Sequence, residues 1–108
     1  MSKASKPYKD FLMEYLQDPE EARAYLEVAI EEYEQDGDKE AFLLALRNVA
    51  EAQGGLGKLA KQTGLNREHL YRVLSEEGNP RLDTVGRILH GLGFRLSVQP
   101  LEAPQAST

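Results

Sequence analysis

The chain has no cysteine and no tryptophan among its 108 residues. Without cysteine there can be no disulfide framework, thiolate metal site or thiol nucleophile. No stretch reaches the roughly 18 to 20 consecutive apolar residues that span a bilayer. The opening MSKASKPYKD carries lysines but no apolar run behind them, so it does not read as a secretory signal. These absences fit a reducing cytoplasm and give no reason to expect a membrane partner. Histidine is scarce as well: His69 and His90 are the only two. No carboxylate cluster has metal-ligand spacing, and Gly54-Gly55-Leu56-Gly57 lacks the Lys-Ser/Thr that completes a phosphate loop. The expectation is a protein that is not an enzyme, with no catalytic residues, no metal and no cofactor.

What remains is an ordinary globular composition, 41% hydrophobic and 29% charged, with room for one small domain or a domain with an appendage. The net charge of −5 hides an asymmetry. Residues 1–53 hold 13 acidic and 6 basic side chains, and residues 54–108 hold 5 acidic and 7 basic. Within 56–75 the basic residues Lys58, Lys61, Arg67 and Arg72 face Glu68 alone. An acidic half suits a basic protein partner and repels phosphate; a basic patch does the reverse. Two binding surfaces are implied, although a charged helix face is also what plain solvation requires.

Apolar spacing predicts six helices and one strand. The first follows Pro7, over Tyr8–Leu16, with Phe11, Leu12, Tyr15 and Leu16 on one face. Asp18-Pro19-Glu20-Glu21 is a helix start: Asp18 as N-cap, Pro19 in the first turn and Glu21 completing a capping box. Ala22, Tyr25, Leu26, Ala29, Ile30 and Tyr33 then form one stripe, with Glu27, Glu31 and Glu34 off its centre. The third helix, Lys39–Gln53, has so wide an apolar face (Phe42 to Ala50) that it must be covered on two sides. Leu56–Thr63 and Arg67–Ser75 are short helices joined by Gly64-Leu65-Asn66. After the turn Gly78-Asn79-Pro80, Leu82–Leu92 turns Leu82, Val85, Ile88, Leu89 and Leu92 inward.

Phe94–Gln99 alternates strictly, which is strand period. A lone strand leaves its backbone groups unpaired. Two arrangements answer this: Phe94, Leu96 and Val98 pair with the same strand of a second copy in a two-fold homodimer, or the segment docks as an extended tail on the last helix. The first is the expectation adopted. The fold class is thus all-α, with one C-terminal strand pairing in a dimer. The chain divides into an acidic helical extension (1–38), a helix-turn-helix domain (39–93), a dimerisation strand (94–100) and a disordered tail (101–108).

The motif that carries function starts at Leu56. Leu59 and Ala60 fall where the first helix meets the second, Gly64 where the turn needs positive φ, and Leu65, Leu70 and Val73 where the pair is buried. If the second helix enters the major groove of double-stranded operator DNA, the residues that meet it are Asn66, Arg67, Glu68, Tyr71 and Arg72. Arg67 and Arg72 can clamp guanine edges or phosphate, and Glu68 can accept from cytosine. Glu68 could instead pair with Arg72 four residues on, and Tyr71 could pack on the rim. Lys58 and Lys61 suit backbone phosphates, as do Asn79 and Arg81 in the turn that follows.

The blocks Asp18–Ala22, Phe42–Ala52, Leu59–Ser75 and Gly78-Asn79-Pro80 together resemble the addiction-module antidote proteins, antitoxins with a Cro/CI-type helix-turn-helix. The resemblance implies a type II toxin–antitoxin module. Such a protein neutralises a small basic toxin of the RelE/ParE-like superfamily and represses its own operon as a dimer. Asn66, Arg67, Glu68, Tyr71 and Arg72 are the DNA-reading positions it carries over. Gly57 departs from the family's usual Ser or Thr cap of the first motif helix. The resemblance maps no toxin surface; the acidic Glu27, Glu31 and Glu34 are the expectation from charge. A stand-alone transcriptional regulator, or an adaptor that binds only protein, are the alternatives.

Overall fold

The computed structural model describes residues 2–101, with their side chains from Tyr8 onward. Six helices follow one another: α1 Ser2–Tyr15, α2 Pro19–Asp36, α3 Lys39–Ala52, α4 Gly55–Thr63, α5 Arg67–Val73 and α6 Leu82–Gly91. The expected disordered tail lies, apart from Leu101, outside the described residues. The helices are those the spacing predicts, with two differences at the start. The first helix runs through Pro7 instead of following it. Its outer residues also differ. Leu16 is fully buried, whereas Phe11 and Tyr15 stay exposed and stack on each other at 6.1 Å.

Asp18 caps α2 by accepting from the Glu20 amide at 2.9 Å, with Pro19 in the first turn. The capping box does not close: the Asp18 amide donates to the Tyr15 carbonyl. The Glu21 carboxylate instead lies near the Tyr15 hydroxyl, and its proximity pushes that phenol up from its ordinary value. Gly37 ends α2 in the left-handed region, and Asp38 caps α3 by accepting from Ala41.

Helix α3 is the centre of the molecule. Leu43, Ala45, Leu46, Asn48, Val49 and Ala50 are all buried. That run leaves only a narrow outward stripe, Leu44, Arg47 and Glu51, and α1, α2 and α4 pack around the rest. Among the described residues the one buried polar side chain, Asn48, donates to the Tyr25 hydroxyl at 3.0 Å and ties α3 to α2. Leu44, counted in the wide stripe, is exposed.

Helix α4 packs in turn on α3, α5 and α6. Its approach to α6 is close: a Cβ on Gly91 would stand 2.7 Å from Thr63 Cγ2 and 2.8 Å from Leu59 Cδ1. Ile88 and Leu89 are buried on α6, but Leu82, expected inward, is 74% exposed at its first residue. Among the described residues no strand is formed. Phe94–Gln99 runs back beside α6, with the Phe94 amide donating to the Leu89 carbonyl at 2.8 Å and Leu96 lying against Gly86. A single chain offers this segment no ladder, so it takes the docked-tail arrangement.

Overpacking the α4–α6 contact should be costly. Gly91→Ala is expected to destabilise the fold by about 1–3 kcal/mol, read as a lower urea midpoint with an unchanged slope. The exposed Leu44→Ala should move the midpoint little.

Candidate nucleic-acid interface

The α4–α5 pair is built from local rules. Gly54 occupies the cap position of α4, no side chain bonds the first-turn amides, and Gly57 lies inside the helix. The departure at Gly57 therefore does not fall on the cap. At the other end Gly64 has φ of 77° and its amide returns to Ala60. The left-handed conformation suits glycine because no Cβ meets the following carbonyl. Thr63 seals the turn: its hydroxyl donates to the Leu59 carbonyl at 2.8 Å and accepts from the Leu65 amide at 3.1 Å. Arg87 of α6 donates to the Thr63 carbonyl at 2.6 Å, so the turn is held from outside as well.

Asn66 caps α5, its side-chain oxygen accepting from Glu68 at 2.7 Å and His69 at 3.1 Å. Leu59 and Leu70 are buried, and Ala60, Leu65 and Val73 pack against them. Every position expected to be inside the pair is inside. Lys58, Lys61, Asn66, Arg67, Glu68, Tyr71 and Arg72 are all exposed. They are not equivalent. The Lys58 stem lies across Gly54, and Arg67 lies over the first turn of α4, its Nε 4.0 Å from where a Gly57 Cβ would be. Among the described residues no ion pair engages Lys58, Lys61, Arg67 or Arg72. Glu68 and Arg72 do not pair.

Sequence reasoning missed Arg47. Its guanidinium sits 4.6 Å from the centre of the Tyr71 ring and 3.5 Å from Glu51, which Lys9 approaches at 3.6 Å. Tyr71 is thus held from α3, and Lys9, Glu51, Arg47 and Tyr71 link α1 to α5. The signal was present but buried in the third helix: a basic residue inside an otherwise apolar run.

The acidic candidates lie elsewhere, on α2. Glu27, Glu31 and Glu34 are exposed. Arg23 bonds Glu20 at 3.3 Å and Glu27 at 2.8 Å, and both bonds hold its guanidinium above the usual range. Asn79 accepts from Lys39 at 3.2 Å, which ties the turn before α6 to the start of α3. Of the strand residues, Phe94 is partly buried on the core while Leu96 and Val98 are 47% and 95% exposed. No group of three or more His, Asp or Glu side chains among the described residues could hold a metal ion, and no described helix is long and apolar enough to cross a membrane.

The Arg47–Tyr71 contact should be measurable without any ligand. A double-mutant cycle of Arg47→Leu and Tyr71→Leu on unfolding free energy should give a coupling of about 0.5–1 kcal/mol. A coupling of zero would mean that the two side chains are neighbours and nothing more.

The chain is similar along most of its length to known proteins. The family model described as "Probable addiction module antidote protein" matches residues 8–100. An uncharacterized protein of Haemophilus influenzae (strain ATCC 51907 / DSM 11121 / KW20 / Rd) is 36% identical over 92 residues, covering 84% of this chain and 90% of that protein. No solved structure matches. The extent of the match, through all six helices, shows that this chain belongs to the addiction-module antidote family.

Proposed function

We propose that this antitoxin works through two surfaces: α4 and α5 form a helix-turn-helix of the Cro/CI type that binds operator DNA and represses the protein's own operon, and the acidic α2 face helps to hold a small basic toxin of the RelE/ParE-like superfamily. The observation that carries the DNA reading is the exposed, unpaired basic set Lys61, Arg67 and Arg72 on a helix pair whose inner face is fully packed. A helix pair of this kind presents the N-terminal part of its second helix to the major groove. Asn66, Arg67, Glu68, Tyr71 and Arg72 lie on that part or its outward face. Arg67 and Arg72 take guanine or phosphate, Glu68 takes cytosine N4, and Lys58 and Lys61 take phosphate. The open first-turn amides of α4, with Arg67 above them, supply a further place for a phosphate oxygen. Asn79 shares its oxygen with Lys39 and has its amide nitrogen left for the backbone.

In this reading residues 1–38 serve the toxin, 39–93 the DNA and 94–100 the dimer. The exposed Leu96 and Val98 support pairing of Phe94–Val98 with a second copy, which would set the spacing of two recognition helices. Glu27, Glu31 and Glu34 support the toxin surface by charge alone.

Gel shifts on the protein's own promoter test the DNA half. Arg67→Ala and Arg72→Ala should each cost about 1–3 kcal/mol, with relaxed sequence preference where a base is read. Lys61→Ala should weaken all sequences alike and lower the salt slope by about one. No salt-dependent shift with the unaltered protein would overturn this half. Co-expression with the product of the adjacent gene tests the other. Charge reversal at Glu27, Glu31 and Glu34 should weaken that complex and leave the gel shift intact.

A further inference from the structure

Between α2 and the returning C-terminal segment lies a groove of about 1380 Å³. It exists because α2 packs on α3 whereas α6 packs on α4, which leaves the start of α3 as a floor between them. That floor and its walls are apolar: Leu26 and Ile30 from α2, Phe42 from α3, Val85 and Leu89 from α6. At the rim Leu82 is 74% exposed. The α2 lip is acidic, with Glu27, Glu31 and Glu34, while the opposite lip carries Arg95 and His90. Arg23 engages Glu27. Glu31 and Glu34 take part in no ion pair formed among the described residues.

We infer that this groove receives a basic amphipathic helix of a partner protein, its apolar face on the floor and its basic flank along α2. Leu26 with Ile30, and Val85 with Leu89, are pairs four residues apart on facing helices. Leu26 and Leu89 are themselves buried, so Ile30 and Val85, both half-buried, are the apolar side chains that a third helix lying between α2 and α6 would meet. Charge fixes the orientation, since lysines or arginines are favoured beside Glu31 and Glu34 and disfavoured beside Arg95. The inference rests on the antitoxin reading for the owner of that helix, the toxin, but the groove can be tested without it.

The probe is a pair of synthetic peptides with one leucine pattern, one carrying lysines on its polar flank and its twin glutamates. Titrated into the full-length protein, the lysine peptide should bind about tenfold or more tightly than its twin. Its backbone-amide shift changes should centre on Leu26, Ile30, Phe42 and Val85. The double variant E31K/E34K should lose about tenfold of that affinity, and Leu82→Gln, at an exposed site, should weaken both peptides. Equal binding of the two peptides, or shift changes confined to α4 and α5, overturns the inference. So does a dimer that dissociates on Leu82→Gln, because a second copy would then fill the groove. The toxin reading is separated by the adjacent gene's product. If that product is retained equally by the unaltered protein, E31K/E34K and Leu82→Gln, the groove assignment falls while the antitoxin reading stands. If the product is not captured but the lysine peptide binds in the groove, the groove stands and the owner of the helix is another protein.

Discussion

Burying Leu46 and Val49 completely requires apolar surface on more than one side of α3, and that requirement decides where the other elements go. A helix covered on one side would have a broad polar face through its middle; between Leu43 and Ala50 only Leu44 and Arg47 of α3 are not buried. The acidic N-terminal helices supply one cover and α4 another. Neither half can therefore be removed without exposing the same central helix. Losing either cover would uncover several leucine-sized side chains, at roughly 1.5–3 kcal/mol each, against a stability for a domain this small of only about 5–15 kcal/mol. The charge asymmetry of the chain is thus carried by one cooperative core rather than by two independent modules.

The same economy appears around the α4–α5 turn. A recognition surface is useful only if its side chains keep their positions to within a fraction of an ångström. Here the turn is fixed three ways: by the left-handed Gly64, by the Thr63 hydroxyl within it and by Arg87 from α6. Helix α5 is only seven residues long, too short to hold itself in water. The Asn66 cap and the buried Leu70 and Leu74 hold it instead. Arg47 then orders Tyr71, one of the outward residues, from beneath. Rigidity at this face comes from its neighbours, not from its own helical tendency.

Most of this was legible in the sequence because it follows from period and punctuation. Pro19, Gly37, Gly64 and Asn66 mark helix ends by chemistry that acts within a few residues, and the structure has each of them at an end. What the sequence did not disclose is decided at longer range. Glu21 fits a capping box by spacing, yet Tyr15 competes for it from the previous helix. Leu82 has the right phase to face inward but lies at the first turn of α6, beyond the edge of the core. Phe94–Gln99 has strand alternation, and alternation describes where side chains point, not whether a ladder partner exists. Within the candidate site, the exposed residues of α4 and α5 follow from helical phase. The partners of Arg47 and Asn79 come from α5 and α3, at separations no local pattern encodes.

Both binding surfaces argued for here draw on α3. Its first turns, with Lys39 and Phe42, meet the groove, and Arg47 meets α5. Eight residues separate Lys39 from Arg47, about 12 Å along the axis. Proximity of this kind invites the idea that one ligand talks to the other through the helix. The packing argues against it. A ligand shifts an equilibrium only by preferring one of two accessible states, and a helix buried over most of its middle, with Asn48 hydrogen-bonded to Tyr25, offers no second arrangement of low cost. The segment less tied to the core is Phe94–Leu101, held at Phe94 and exposed beyond it. It forms one lip of the groove and is also the segment assigned to the dimer. In the proposed reading, coupling between partner and DNA would run through that segment, because it lines the groove, is assigned to the dimer and lies largely outside the core.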